Sequence, residues 1–121
     1  MSPVTAEPVF KGRFFKATDP FGRAWNVEFR WLQTGISIRH ADTVDVRFEL
    51  SGPETLEKVV ALPHPMLLEL SQRTGRAVTD PWCQRIATAH LKQMIEGWGD
   101  MDKVLVTLTM AELEQAAGVV R

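Results

Sequence analysis

The sequence predicts an α+β domain. An antiparallel meander of about five strands carries a long amphipathic helix on one face, followed by a C-terminal strand and a short helix. Three observations carry this reading. Trp25, Val27, Phe29 and Trp31 alternate with Asn26, Glu28 and Arg30, and Val44, Val46, Phe48 and Leu50 alternate with Asp45, Arg47 and Glu49. This period of two marks strands with one covered face. Short, turn-rich connections between such runs favour antiparallel neighbours. From Asp80 to Trp98, Trp82, Cys83, Ile86, Ala87, His90, Leu91, Met94, Ile95 and Trp98 recur at steps of three and four, which stacks them on one face of a helix.

Taken in order, residues 1–8 hold two prolines and a glutamate and read as a flexible N-terminal arm; residues 9–121 read as a single domain. Val9 to Ala17 is strand-like, with Gly12 as a candidate bulge. Thr18-Asp-Pro-Phe-Gly22 is turn chemistry, with Pro20 suited to the first central position and Gly22 to positive φ. The strand Ala24–Leu32 follows, then a turn at Gln33-Thr-Gly35. A further strand is expected over Ile36–His40, with a turn at Ala41-Asp-Thr43. The strand Val44–Leu50 and a less patterned one over Leu56–Leu62 complete the meander. His64 caps a short helix with Pro65 at its first position, and Gly75 ends it. Asp80 and Pro81 open the long helix in the same way, and Gly97 and Gly99 close it. Asp102–Leu108 returns to strand alternation. Thr109-Met-Ala-Glu112 is a capping box for a last helix, Met110 to Ala117, stopping at Gly118.

Composition narrows the functional classes. The 121 residues are 45% hydrophobic and 24% charged, with a formal charge of −1, as in ordinary globular proteins. Lys and Arg are spread evenly, and Lys11-Gly-Arg-Phe-Phe lacks the second glycine of RNA-binding strands, so no nucleic-acid partner is expected. No apolar run reaches the ~18–20 residues of a membrane span, and the first residues show neither a basic nor an apolar signal region. A single cysteine forms no internal disulfide. The expectation is a cytoplasmic protein with no membrane partner.

Motifs with chemistry are few. Cys83 near the start of the long helix invites a reactive-thiol reading, but its place in the apolar arc points to core packing. Cys83 and His90 share a face yet sit seven residues apart, about 10.5 Å along the axis, too far for a nucleophile–base pair. His40, His64 and His90 lack zinc-type spacing, and Glu96, Asp100 and Asp102 around the Gly97-Trp98-Gly99 corner do not match a calcium loop. No catalytic residues, metal ligands or cofactor are therefore expected. His90 is expected to find a backbone or carboxylate partner for its ring nitrogens. Four tryptophans and six phenylalanines without a tyrosine supply a rich aromatic core.

The functional expectation that follows is a non-enzymatic protein-interaction or regulatory module, possible as a homodimer or with another protein partner. Two alternatives stand beside it: a small-molecule-binding protein with an apolar pocket between sheet and long helix, and an enzyme whose histidine and carboxylates meet only in the fold. The candidate partner- or ligand-binding residues are Trp31, His40, His90 and Trp98. A flat apolar patch would favour the first reading, a cavity lined by Trp, Met and His the second, and convergent His and carboxylate groups the third.

Overall fold

The computed structural model describes residues 14–36 and 42–119, with residues 34–36 described by backbone alone. The expected arm over residues 1–8 and the first part of the Val9–Ala17 strand lie outside these residues.

Alternation builds a sheet of five described strands in sequential order: β1 (Phe14–Thr18), β2 (Ala24–Ile36), β3 (Asp42–Ser51), β4 (Thr55–Pro63) and β5 (Leu105–Thr107). The first four form the antiparallel meander, and β5 pairs with β4 in parallel. Three helices, α1 (His64–Thr74), α2 (Asp80–Gly97) and α3 (Met110–Val119), complete the order. This is the α+β architecture expected. α2 lies against β1, β3 and β4, α1 against β3 and β4, and α3 against both other helices. The core lies between them: Trp25, Val27, Val46, Phe48, Leu50, Val60 and Leu62 from the sheet meet Ile86, Leu91 and Ile95 of α2.

The β1–β2 connection forms as its residues dictate. Gly22 takes φ +83° and donates its N–H to the Asp19 carbonyl at 3.1 Å. The Asp19 side chain accepts from the backbone N–H of Phe21 and of Arg23, the local bond aspartate makes in turns.

Strand β2 departs from expectation in two ways. The Gln33–Gly35 turn does not form; the ladder runs on through Gln33↔Asp45 and Gly35↔Thr43 to Ile36↔Asp42. A lone glycine is a weak breaker where both flanks are paired, so Ile36 belongs to β2 and Asp42 and Thr43 to β3; the rest of the strand expected over Ile36–His40 lies outside the described residues. Within β2 the register slips between Phe29, opposite Phe48, and Trp31, opposite Arg47. Arg30 is the extra residue of a β-bulge, and a bulge reverses the faces beyond it. Trp31 therefore points away from the core with Arg47, while Leu32 turns inward opposite the buried Val46. The face expected to hold Trp25, Val27, Phe29 and Trp31 keeps only the first three.

Helix starts shift by one residue. The N-cap of α2 is Thr79, whose Oγ1 accepts from Trp82 N–H at 3.3 Å; Asp80 is the first helical residue, where its charge suits the dipole. The N-cap of α1 is Pro63, leaving His64 inside the helix, and Gly75 ends it at φ +76°. The capping box forms as read: Glu112 accepts from Thr109 N–H at 2.9 Å, and Thr109 Oγ1 accepts from Glu112 N–H at 3.2 Å. α3 continues through Gly118. Strand β5 is shorter than expected; of the residues before it, the Val104 carbonyl accepts from Val59 N–H, while the Lys103 carbonyl accepts from the Lys58 ammonium at 2.6 Å instead of joining the ladder.

Candidate functional site

The α2 face buries the expected residues from Trp82 to Ile95, with Trp98 past its end only partly buried, and this fixes where its functional groups lie. Cys83 is sealed in the core. Burial pushes its thiol up to about 11, with the Asp80 carboxylate adding to the effect, so it is an unreactive packing residue near neutral pH. His90 sits two turns further along and borders an open cleft at the C-terminal end of the helix.

That cleft, of about 270 Å³, is lined by His90, Gln93, Met94 and Gly97 of α2, Gly99 and Asp100 of the corner, and Glu112 of α3. It lies between two helices, not between sheet and helix. His90 is only 6% exposed, and its Nε2 has no hydrogen-bond partner, contrary to the partner expected from sequence. Burial pushes its pKa below the ordinary value, and the negative charges of Glu112 and Asp100 pull it back. The Glu112 carboxylate is held by the capping box, and Asp100 is paired with Lys103 at 3.3 Å on the solvent side.

The corner beyond α2 is built tightly. Trp98 and Asp100 carry the positive φ values, 55° and 59°, and not the glycines beside them. A non-glycine residue in this left-handed region costs about 1–2 kcal/mol, so neighbouring contacts must hold it. The Trp98 ring packs on Trp25, with centroids 5.8 Å apart, and edge-on to Phe21 at 6.1 Å. Arg23 lies 4.8 Å over it, a cation–π contact. Arg23 is in turn held by the Asp19 carboxylate at 2.7 Å, which also accepts from Trp25 Nε1 at 3.0 Å. Desolvation alone would raise the Asp19 pKa; the bonds from Trp25, Arg23 and Phe21 outweigh it and hold the carboxyl at about 2. From the other side, buried Lys58 donates to the Met101 and Lys103 carbonyls, each at 2.6 Å. Lys58 stands at an inward position of β4, and burial pushes its pKa down while Asp102 pulls it back.

The four sequence candidates thus separate. His90 lines the cleft with Asp100, whereas the Trp98 ring is taken up by Trp25, Phe21 and Arg23. Trp31 lies on the opposite face of the sheet, 38% exposed, with Arg47 5.4 Å over its ring and Glu57 paired to that arginine. His40 lies outside the described residues. Among the carboxylates of the Glu96, Asp100 and Asp102 group, only Asp100 lines the cleft. Glu112, read from sequence purely as a cap, is the second acid there, and Lys58 was missed as an anchor. Among the described residues no three His, Cys, Asp or Glu side chains gather as metal ligands.

A larger cleft of about 380 Å³ opens between Leu70, Thr74, Arg76, Trp82, Glu114 and Ala117. Its one carboxylate, Glu114, is paired with Arg73. No helix among the described residues is long and apolar enough to cross a membrane. No family model, curated protein or solved structure matches this chain.

Proposed function

We propose that this chain is a small-molecule-binding domain whose site is the cleft at the C-terminal end of α2. One observation carries the reading: His90, a residue 6% exposed, lines the cleft and holds a buried Nε2 without a partner just beneath it. A buried polar atom without a partner costs about 1–3 kcal/mol, and a ligand that parts the groups covering it and donates to it removes that cost. A catalytic reading has less support, since neither carboxylate is bonded to the imidazole to orient it.

The test is a fragment screen read by 15N–1H NMR on the whole chain. Binders should shift the amides of Gln93, Gly97 and Gly99, and His90→Phe should abolish the shifts while the rest of the spectrum is kept. Affinity should fall as pH drops through the folded His90 value, which burial holds below the ordinary ~6.5, because a protonated ring has no lone pair to offer. His90 also links folding to pH. Its folded pKa is depressed, so its contribution to stability is complete above ~6.5 and is lost as pH falls through the folded value. Fragments that bind without touching these amides would overturn the assignment.

A second reading, a protein-interaction module, is favoured by the bulge that turns Trp31 outward. Tryptophan and arginine are the residues that most often anchor interfaces. The same face carries acids and bases side by side, with Arg30 close to Glu28 and Glu49 and Arg47 paired to Glu57. Such a mixed patch suits a second copy of the chain across a two-fold axis. Light scattering after size-exclusion chromatography should then show a dimer that Trp31→Ala converts to monomer; a monomer at high concentration sinks this reading.

A further inference from the structure

We infer that the contact between α2 and α3 is an acid-sensitive clasp: protonation of His90 frees residues 105–119 from α2 while β1 to β4 and α2 stay folded. The clasp needs no ligand. His90 is 6% exposed, and its Nε2 is sealed from solvent without a hydrogen-bond partner. In the neutral ring that nitrogen forgoes one bond. In the imidazolium both ring nitrogens carry N–H groups and the ring is charged. A buried charge with an unpaired donor is far more costly than a neutral ring, so protonation favours any state in which water reaches the ring.

The charges around His90 do not supply the missing partner. Glu112 of α3 and Asp100 of the corner act on it, but Glu112 is held by Thr109 in the capping box and Asp100 by Lys103. Their pull toward the imidazolium is outweighed by burial. On the sheet side of α2, Lys58 of β4 is occupied by the Met101 and Lys103 carbonyls, and Asp19, just after β1, by Arg23 and Trp25. β3 turns only Val44, Val46, Phe48 and Leu50 inward.

The side that opens most readily is α3. Its Glu112 lines the same cleft as His90, and the segment carrying it is lightly held. β5 contributes three ladder residues, Leu108 N–H reaches the Ala61 carbonyl at 3.0 Å, and the surface pair of Arg73 with Glu114 adds little. The side chains to be lifted out are Val106, Leu108, Leu113 and Ala116, fewer than those joining α2 to the sheet. Release is therefore a population of brief openings. In the open state the ring returns to the ordinary ~6.5, so the opening constant grows up to about tenfold per pH unit from there down to the closed-state value.

Native-state hydrogen exchange on the 15N-labelled full chain tests this from about pH 7 to about pH 4, each rate being normalised to that of an unprotected amide. Protection at Leu113 to Ala117 should fall by up to about tenfold per pH unit below ~6.5, while Val46, Phe48 and Leu50 of β3 keep theirs. His90→Gln, neutral throughout, should remove the fall at α3. If that variant does not fold, the imidazole 15N signals of the unsubstituted protein decide: the α3 loss must level off where the native His90 ring titrates. A parallel loss in β3 would show that acid unfolds the whole domain, and the clasp is then wrong. A loss that persists in His90→Gln overturns it too, as does α3 protection that holds or rises in acid because the imidazolium turns onto Glu112.

Discussion

Trp25→Ala destabilises the protein by about 3–5 kcal/mol in denaturant unfolding, the range for truncating a fully buried large aromatic. Trp25 has no exposed surface, packs against Trp98 and donates its indole N–H to Asp19. The substitution therefore opens a cavity, frees the ring that holds the left-handed corner and removes a donor from a buried carboxylate. Trp25→Phe keeps an aromatic ring for Trp98 to pack on while deleting the N–H together with part of the indole volume. Asp19 has a depressed folded pKa, so its contribution is complete above the ordinary ~3.9 and is lost as pH falls through about 2. In Trp25→Phe the folded value moves back toward the ordinary one, and the stability lost between pH 6 and pH 2 shrinks. A Trp25→Ala loss below about 1 kcal/mol, under the core-truncation range, would contradict the packing described.

Lys58→Ala is the second large effect, expected at about 2–4 kcal/mol. Bonds to a charged group contribute about 1.5–3 kcal/mol each, two are lost, and relief of the buried ammonium's desolvation offsets part of that. Lys58→Met restores the packing and isolates the two bonds to Met101 and Lys103. In both variants the amides of residues 99–103 should move most, because that segment loses its anchor. Unchanged stability and spectra would show that the corner holds itself.

The contrast between these two residues shows how much was legible in the chain. Helix α2 was readable because its apolar positions agree over five turns, and the capping box because Thr109 and Glu112 need only each other. The Asp19–Gly22 turn was readable for the same local reason. The bulge at Arg30 was not: Trp31 and Leu32 are both apolar, so the strand fits either phase and the slip leaves no trace in the pattern. Lys58 is a cation at an inward strand position, a signal present in the Leu56, Val60, Leu62 phase, but its partners lie more than forty residues away. The cleft is legible only in part. His90 stands out by sequence, but Glu112 reaches it through α3, whose placement no local rule sets. The left-handed Trp98 runs against the glycine preference on both sides of it, and only its contacts with Trp25, Phe21 and Arg23 explain it.

The three-residue strand β5 also decides the order in which the molecule assembles. Its first pair, Val59 with Leu105, closes a loop through both long helices, whereas β1 to β4 join only neighbours in sequence. Closing a long loop costs entropy before the contacts it permits are made, so the meander can condense early and the 105–119 segment docks late. The same segment joins the sheet through three residues of β5 only, and few ladder bonds favour local opening in the native state. It carries Glu112, one wall of the cleft. A ligand bridging α2 to Glu112 would therefore act as a latch on that segment, and its occupancy would set how often residues 105–119 open.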